Sequence, residues 1–173
     1  FGGNVPPNTN TANTQTFNGT NWTEVNDLGT ARARLGGTGT QTSALAFGGG
    51  PPTTGKTESW NGTNWTEVAD LNTIRFFMGS SKQDANNTTA LAFGGETPPP
   101  VTVANTELWN GTAWTETTDM AQKRAYVGGA GTSTVALAFG GTIPPYTAVT
   151  EEWTGAGQPV GAWSTGTSVN TAR

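Results

Sequence analysis

Neither cysteine nor histidine occurs anywhere in the chain. Without thiols there is no disulfide staple, thiolate metal site or cysteine nucleophile. Without imidazole the commonest general base and the commonest transition-metal ligand are missing as well. Most familiar active sites lose a member, so no catalytic residue, cofactor or metal is expected and the chain is not read as an enzyme. Charge is also sparse: 12% of residues are charged and the net charge is −4. No basic stripe follows a phosphate backbone, which leaves nucleic acid out as an expected partner. No apolar run approaches the roughly 20 residues that cross a bilayer, and no charged-then-apolar leader precedes Phe1, so membrane insertion is not expected. Helical spacing with caps is missing too.

What is present is a repeat. Phe1-Gly2-Gly3 recurs as Phe47-Gly48-Gly49, Phe93-Gly94-Gly95 and Phe139-Gly140-Gly141, at a constant step of 46 residues. Three of these signatures follow Ala44-Leu45-Ala46, Ala90-Leu91-Ala92 and Ala136-Leu137-Ala138, a buried strand running into a glycine pair. Further on stand Phe17-Asn18-Gly19-Thr20-Asn21-Trp22, Trp60-Asn61-Gly62-Thr63-Asn64-Trp65 and Trp109-Asn110-Gly111-Thr112-Ala113-Trp114. Asn-Gly between two β-formers signals a hairpin. Each period therefore reads as four short strands. In the second full unit these are Phe76 to Gly79, Thr89 to Phe93, Thr106 to Trp109 and Trp114 to Thr117. Glycine, proline, asparagine and threonine fill the joins for backbone reasons.

The hydrophobic strand leading into Gly-Gly, followed in each unit by an aromatic and then a tryptophan, resembles the kelch repeat family. The Gly-His and Trp-Asp signatures of the WD40 repeat, nearest by period, are absent. The resemblance implies an all-β propeller of four-stranded antiparallel blades around a central channel. On that reading residues 1–28 form a half blade, 29–71 and 72–120 a blade each, and 121–173 a blade with the start of the next. The chain opens at the end of a second strand and stops at Thr171-Ala172-Arg173, where a first strand should begin. Propellers close with about four to eight blades. About three and a half blades are thus expected to be a segment of a larger propeller.

Several recurring residues have two readings. Asp27, Asp70 and Asp119 stand five residues before Arg32, Arg75 and Arg124, and Arg173 restarts the pattern. An arginine ring could bind anionic sugars, as in sialidases; alternatively these pairs tie the loop entering each blade by hydrogen bonds. No Ser-x-Asp-x-Gly-x-Thr-Trp box supports the sialidase variant. Hairpin arithmetic places Glu58 opposite Glu67 and Glu107 opposite Glu116, a like-charge conflict. A calcium-like cation, a bulge or exposure at the outer rim would relieve it. Trp22, Trp60, Trp65, Trp109, Trp114, Trp153 and Trp163 could stack on sugars, but their fixed place in the hairpin argues for packing between blades. Asn18, Asn21, Asn61, Asn64, Asn87 and Asn110 satisfy a glycosylation pattern that turn chemistry already explains.

The segment between the second and third strands varies freely: Asn4 to Asn13, Gly50 to Lys56, Glu96 to Asn105, Thr142 to Val149. Constant scaffold with variable loops is how binding surfaces are built. These loops leave from the face that also carries the connections to the next blade, which selects Pro51, Pro52, Pro98, Pro99, Tyr146, Arg32, Arg75 and Arg124 as partner-binding candidates. The opposite face carries the hairpin turns and one lengthened loop, Lys82 to Thr88. The expected function is a binding or display module on a virion or cell surface, engaging a protein, a glycan or copies of itself. Low-charge, Thr/Gly/Asn-rich repeats of this style resemble those of environmental bacteriophage and bacterial surface proteins. The alternatives are a structural assembly component and the non-catalytic part of an enzyme of the galactose oxidase type, whose copper site needs histidine and a cysteine cross-link.

Overall fold

The structure is a computed structural model and describes residues 1–143, 145–155 and 161–169. The strands in chain order are β1 (Asn4–Val5), β2 (Thr9–Asn10), β3 (Thr14–Phe17), β4 (Trp22–Val25), β5 (Gly36–Thr40) and β6 (Ser43–Phe47). They continue with β7 (Thr57–Trp60), β8 (Trp65–Val68), β9 (Gly79–Ser80), β10 (Ala90–Phe93), β11 (Glu96–Thr97) and β12 (Val101–Thr102). The last are β13 (Thr106–Trp109), β14 (Trp114–Thr117), β15 (Gly128–Gly131), β16 (Val135–Phe139), β17 (Thr150–Thr154) and β18 (Ala162–Gly166). There is no helix among the described residues. Three four-stranded antiparallel sheets form, β5-β6-β7-β8, β9-β10-β13-β14 and β15-β16-β17-β18, here called the first, second and third blades. A two-stranded sheet, β3-β4, precedes them, and the small hairpins β1-β2 and β11-β12 decorate two of the variable loops.

The strand register follows the turns. In the hairpin of the first blade, the Asn61 side chain accepts hydrogen bonds from the backbone N–H of Thr63 (2.9 Å) and Asn64 (2.8 Å). That closes a four-residue loop and sets Trp60 opposite Trp65 and Glu58 opposite Glu67. Asn110 does the same in the second blade, where Glu107 faces Glu116. Two strands of the second blade differ from their expected spans. Regular pairing of the first strand in the second blade covers only Gly79 and Ser80, and Phe76 makes an isolated bridge to Glu96. Phe77 is the reason, since its φ of +55° takes the chain out of the extended conformation. Thr89 also lies outside β10, which starts at Ala90.

Short strands cannot make a core inside one sheet, so the apolar residues meet between blades. Leu45 and Phe47 of the first blade pack with Trp109 and Trp114 of the second, and Leu91 and Phe93 of the second with Trp153 and Trp163 of the third. The Trp114 ring meets Phe47 edge-on at 4.8 Å, and Trp163 meets Phe93 likewise at 5.0 Å. Each ring also has a polar anchor in the preceding unit. Trp65 Nε1 donates to Thr14 Oγ1 (3.0 Å), Trp114 to Thr57 (2.9 Å) and Trp163 to Thr106 (3.0 Å). The glycine pair completes the joint. Gly49 N–H donates to the Arg75 carbonyl of the next blade (3.0 Å), while a Cβ on Gly48, at φ +63°, would stand 2.7 Å from that same oxygen. Only glycine permits this approach. Burial of each aromatic contributes roughly 2–3 kcal/mol.

Truncation at a joint therefore separates its two components. Trp114→Ala is expected to cost about 3–5 kcal/mol through the void it leaves. Trp114→Phe keeps most of the packing and loses chiefly the bond to Thr57, about 1 kcal/mol. Urea unfolding monitored by circular dichroism distinguishes the two, and equal losses would refute the division.

Candidate functional site

The recurring charged residues lead inward, not to a surface. Arg32, Arg75 and Arg124 are buried, and each meets a glutamate on the third strand of its own blade. Arg75 Nη2 lies 3.0 Å from Glu107 Oε1, Arg124 Nη2 lies 2.7 Å from Glu151 Oε1, and Arg32 pairs with Glu58. The second guanidinium nitrogen of Arg124 donates to the carbonyls of Gly140 (3.1 Å) and Val149 (2.7 Å), and that of Arg75 to Gly94 (3.1 Å) and Asn105. The glutamates also receive backbone N–H groups from the connection entering the blade: Gly29 on Glu58 (2.6 Å), Asn72 on Glu107 (2.7 Å) and Ala121 on Glu151 (2.6 Å). Burial pulls the pKa of Arg75 and Arg124 below the ordinary arginine value, and the facing glutamates oppose that shift.

Two expectations are corrected here. The three arginines, selected as partner-binding candidates, have their guanidinium groups spent inside the blades and do not present them on a face. The aspartates five residues earlier do not pair with them. Asp27, Asp70 and Asp119 instead accept the N–H of Thr14 (3.0 Å), Thr57 (3.2 Å) and Thr106 (3.1 Å), each closing the start of a third strand. The glutamate conflict needs no cation. Glu58 and Glu107 turn inward to arginines, while Glu67 turns out to Lys56 Nζ (2.6 Å) and Glu116 to Asn105 Nδ2 (2.6 Å). Among the described residues no cluster of three His, Cys, Asp or Glu could hold a metal. Arg173 lies outside the described residues.

The lengthened loop on the opposite face is anchored to the blades by two of its residues. Asp84 is buried and accepts from Thr38 Oγ1 of the first blade (3.2 Å), Ser81 and Thr89 (3.3 Å) of the second, and Ser133 N–H of the third (2.8 Å). Asn87, one of the glycosylation-pattern asparagines, spends its amide on Ser59 Oγ (2.8 Å) and the Trp60 carbonyl (2.9 Å).

The loop face holds residues that repeat comparison passes over. Two positions after each buried arginine stand Arg34, Phe77 and Tyr126, all in the left-handed region with φ of +60°, +55° and +56°. Bulky side chains seldom adopt it, at a cost of order 1–3 kcal/mol each. They join across blades: Phe77 N–H donates to the Arg34 carbonyl (3.1 Å) and Tyr126 N–H to the Phe77 carbonyl (2.8 Å). Their side chains stack in the same order. The Phe77 and Tyr126 rings lie 3.8 Å apart at 28°, and the Arg34 guanidinium carbon sits 4.8 Å from the Phe77 centroid. Tyr126 is 53% exposed.

The residue before each ladder position fixes where the ladder lies. Ala33, Phe76 and Ala125 bridge to Gly50, Glu96 and Thr142, the opening residues of three variable loops. Pro51, Pro52, Pro98 and Pro99 are exposed on those loops, and Tyr146 is exposed beyond Thr142. The ladder and the loops thus share one face. Partial burial, then the neighbouring Glu96 charge, push the Tyr126 phenol above its ordinary pKa, against Arg34. Sequence reasoning put the variable loops and the connections between blades on one face and missed the ladder, because an Arg, a Phe and a Tyr share no side chain and the common feature is backbone conformation. The strip offers flat π faces, one cation and a phenol hydroxyl, a set suited to stacking and hydrogen bonding.

Removing one member of a buried ion pair leaves the other charge stranded. Arg75→Leu is expected to lower stability by about 3–5 kcal/mol, while Lys56→Ala, at the exposed pair, leaves the urea midpoint in place. A midpoint for Arg75→Leu equal to the parent would refute the arrangement. In an absorbance titration, the phenolate signal lost on Tyr126→Phe is expected to come from a group ionising above free tyrosine; ionisation at or below that value would contradict the environment described.

Comparison with known proteins bears on the fold. No known protein family matches the sequence, nor does any curated protein. A solved structure described as "Structure of YjhT" is similar, with a TM-score of 0.69 and 13% sequence identity, over 83% of this chain and 48% of that one. The chain spans about half the length of that protein. At this identity the likeness concerns architecture alone: an all-β, propeller-like arrangement of four-stranded antiparallel sheets.

Proposed function

We propose that the chain is a non-catalytic binding module, part of a larger kelch-like propeller displayed on a virion or cell surface, and that it engages a protein or glycan through its loop face. The Arg34-Phe77-Tyr126 ladder carries this reading. Backbone strain is held at three successive blades with a different side chain on each, although glycine would occupy the same φ without strain and keep the backbone bonds between blades. Side chains retained there, stacked and beside loops that differ from blade to blade, fit a surface selected for contact. Aromatic faces with one cation suit sugar rings or the aromatic and arginine-rich centres of protein interfaces.

A structural assembly role is the second reading, and the two outer faces are compatible with it as they are with a larger propeller. Leu137 is 41% exposed where Leu45 and Leu91 are fully covered by a following blade, and Trp22 is exposed where Trp114 is buried. Both faces have the apolar character of a blade joint.

Glycine substitution tests the binding reading cleanly. Phe77→Gly and Tyr126→Gly keep the required φ, so stability should stay within about 1 kcal/mol of the parent. Retention on glycan arrays or host-surface protein is expected to fall tenfold or more. Undiminished retention by both variants would sink the proposal. Intact mass of the native polypeptide tests the larger propeller: a mass well above 17.8 kDa supports it, and a native chain of 17.8 kDa in a symmetric oligomer favours assembly.

A further inference from the structure

Two charged side chains beside the ladder are not spent on the scaffold. Arg34 is exposed and Glu96 half-buried, and among the described residues neither side chain makes an ion pair or a hydrogen bond. Both are nevertheless held in place. Glu96 exchanges two backbone hydrogen bonds with Phe76 (3.1 and 2.9 Å), the residue before Phe77. Arg34 is held by stacking, its guanidinium carbon 5.9 Å from the Phe76 centroid and 4.8 Å from that of Phe77. A planar guanidinium lying on a ring keeps its fork of N–H groups free at the edge. Arg34, Glu96 and Tyr146 all stand close enough to Tyr126 for their charges to act on its phenol. A donor fork, a carboxylate and two phenol hydroxyls are thereby gathered about one aromatic stack.

Charge and shape narrow what this cluster can hold. The two ions beside Tyr126 are of opposite sign, and Arg32, Arg75 and Arg124 are buried against glutamates, so no net positive field draws an anion to the stack. Phe77 has Tyr126 on one face and Arg34 on the other, which leaves the outer face of Tyr126 as the free π surface. Each ladder residue stands just before the first strand of its blade, and these strands pack on one another, Ser80 Oγ donating to the Gly37 carbonyl (3.2 Å). The stack therefore has a solid floor. Beside it stands the hairpin β11-β12, with Pro98 and Pro99 exposed at its tip. A broad protein surface meets such loops first, whereas a narrow chain of rings lies between them. Sugar rings present an apolar face to a flat aromatic and paired hydroxyls to bidentate groups, the chemistry of the Arg34 fork and the Glu96 carboxylate.

We infer that this cluster is a site for an uncharged pyranose chain, one ring lying on the free face of Tyr126 with its hydroxyls on Glu96, the next crossing the edge of the stack to the Arg34 fork. This ligand class rests on the loop-face reading above and narrows it from protein or glycan to neutral glycan. Arg34 touches only the second ring, so a tetrasaccharide engages it and a monosaccharide does not.

Saturation-transfer NMR on this chain, with mannotetraose, cellotetraose and the acidic sialyllactose as probes, provides the test. Transfer to a neutral tetrasaccharide is expected, with an affinity that holds when salt is raised to about 0.5 M. Arg34→Lys keeps the charge and loses the fork, and Glu96→Gln loses the carboxylate; each should weaken binding about tenfold. Since neither side chain is bonded within the chain, the urea midpoint should not move, and lost binding is then not lost folding. Transfer to sialyllactose alone, strengthened by Glu96→Gln, would overturn the assignment, as would neutral-sugar binding that survives both substitutions. Absence of transfer to either neutral probe also overturns it; if Phe77→Gly still loses retention on host-surface protein, the loop-face reading stands without the glycan. Equal neutral-sugar binding by the parent, Phe77→Gly and Tyr126→Gly would end both.

Discussion

A four-stranded sheet of strands no longer than five residues has two faces and no interior, and every other feature of this molecule answers that constraint. The apolar side chains find cover only against the next sheet, so the stabilising unit is the joint between blades and not the blade. Each joint uses the same three contacts: an edge-on phenylalanine and tryptophan, an indole bonded to a threonine hydroxyl, and a glycine amide bonded to an arginine carbonyl across the gap. The 46-residue step is the sequence trace of that joint.

The buried arginine-glutamate pairs belong to the same logic at the level of polar groups. The connection entering a blade must cross beneath the third strand, carrying backbone N–H groups away from solvent. A glutamate under that crossing satisfies them, and the arginine offsets its charge while also binding carbonyls of the glycine-pair turn. Buried pairs of this kind add little net stability over apolar packing, but they are intolerant of misplacement. Here each pair ties the segment entering a blade to that blade's third strand.

How much of this could be read from residues alone divides along physical lines. Strand order, and hairpin register in the units that carry Asn18-Gly19, Asn61-Gly62 and Asn110-Gly111, were legible because those turns and the flanking aromatic positions recur. Placement of the tryptophans between blades was legible for the same reason. The partners of Arg32, Arg75 and Arg124 were not, because the nearest aspartate in sequence lies on the wrong side of a turn and the true partner is more than 25 positions away. The left-handed ladder was invisible, since a dihedral angle leaves no signature when three different side chains adopt it. Asp84 occurs in one blade only, so no periodicity could draw attention to it.

Asp84 also changes how the molecule should be thought of mechanically. An array held by neighbour-to-neighbour joints behaves as a one-dimensional chain, free to fray from either end one unit at a time. A single carboxylate of the second blade reaches Thr38 of the first and Ser133 of the third, so loosening of either neighbour disturbs the same group. Asp84 thus adds one polar tie shared by all three blades to the apolar joints that hold them in pairs.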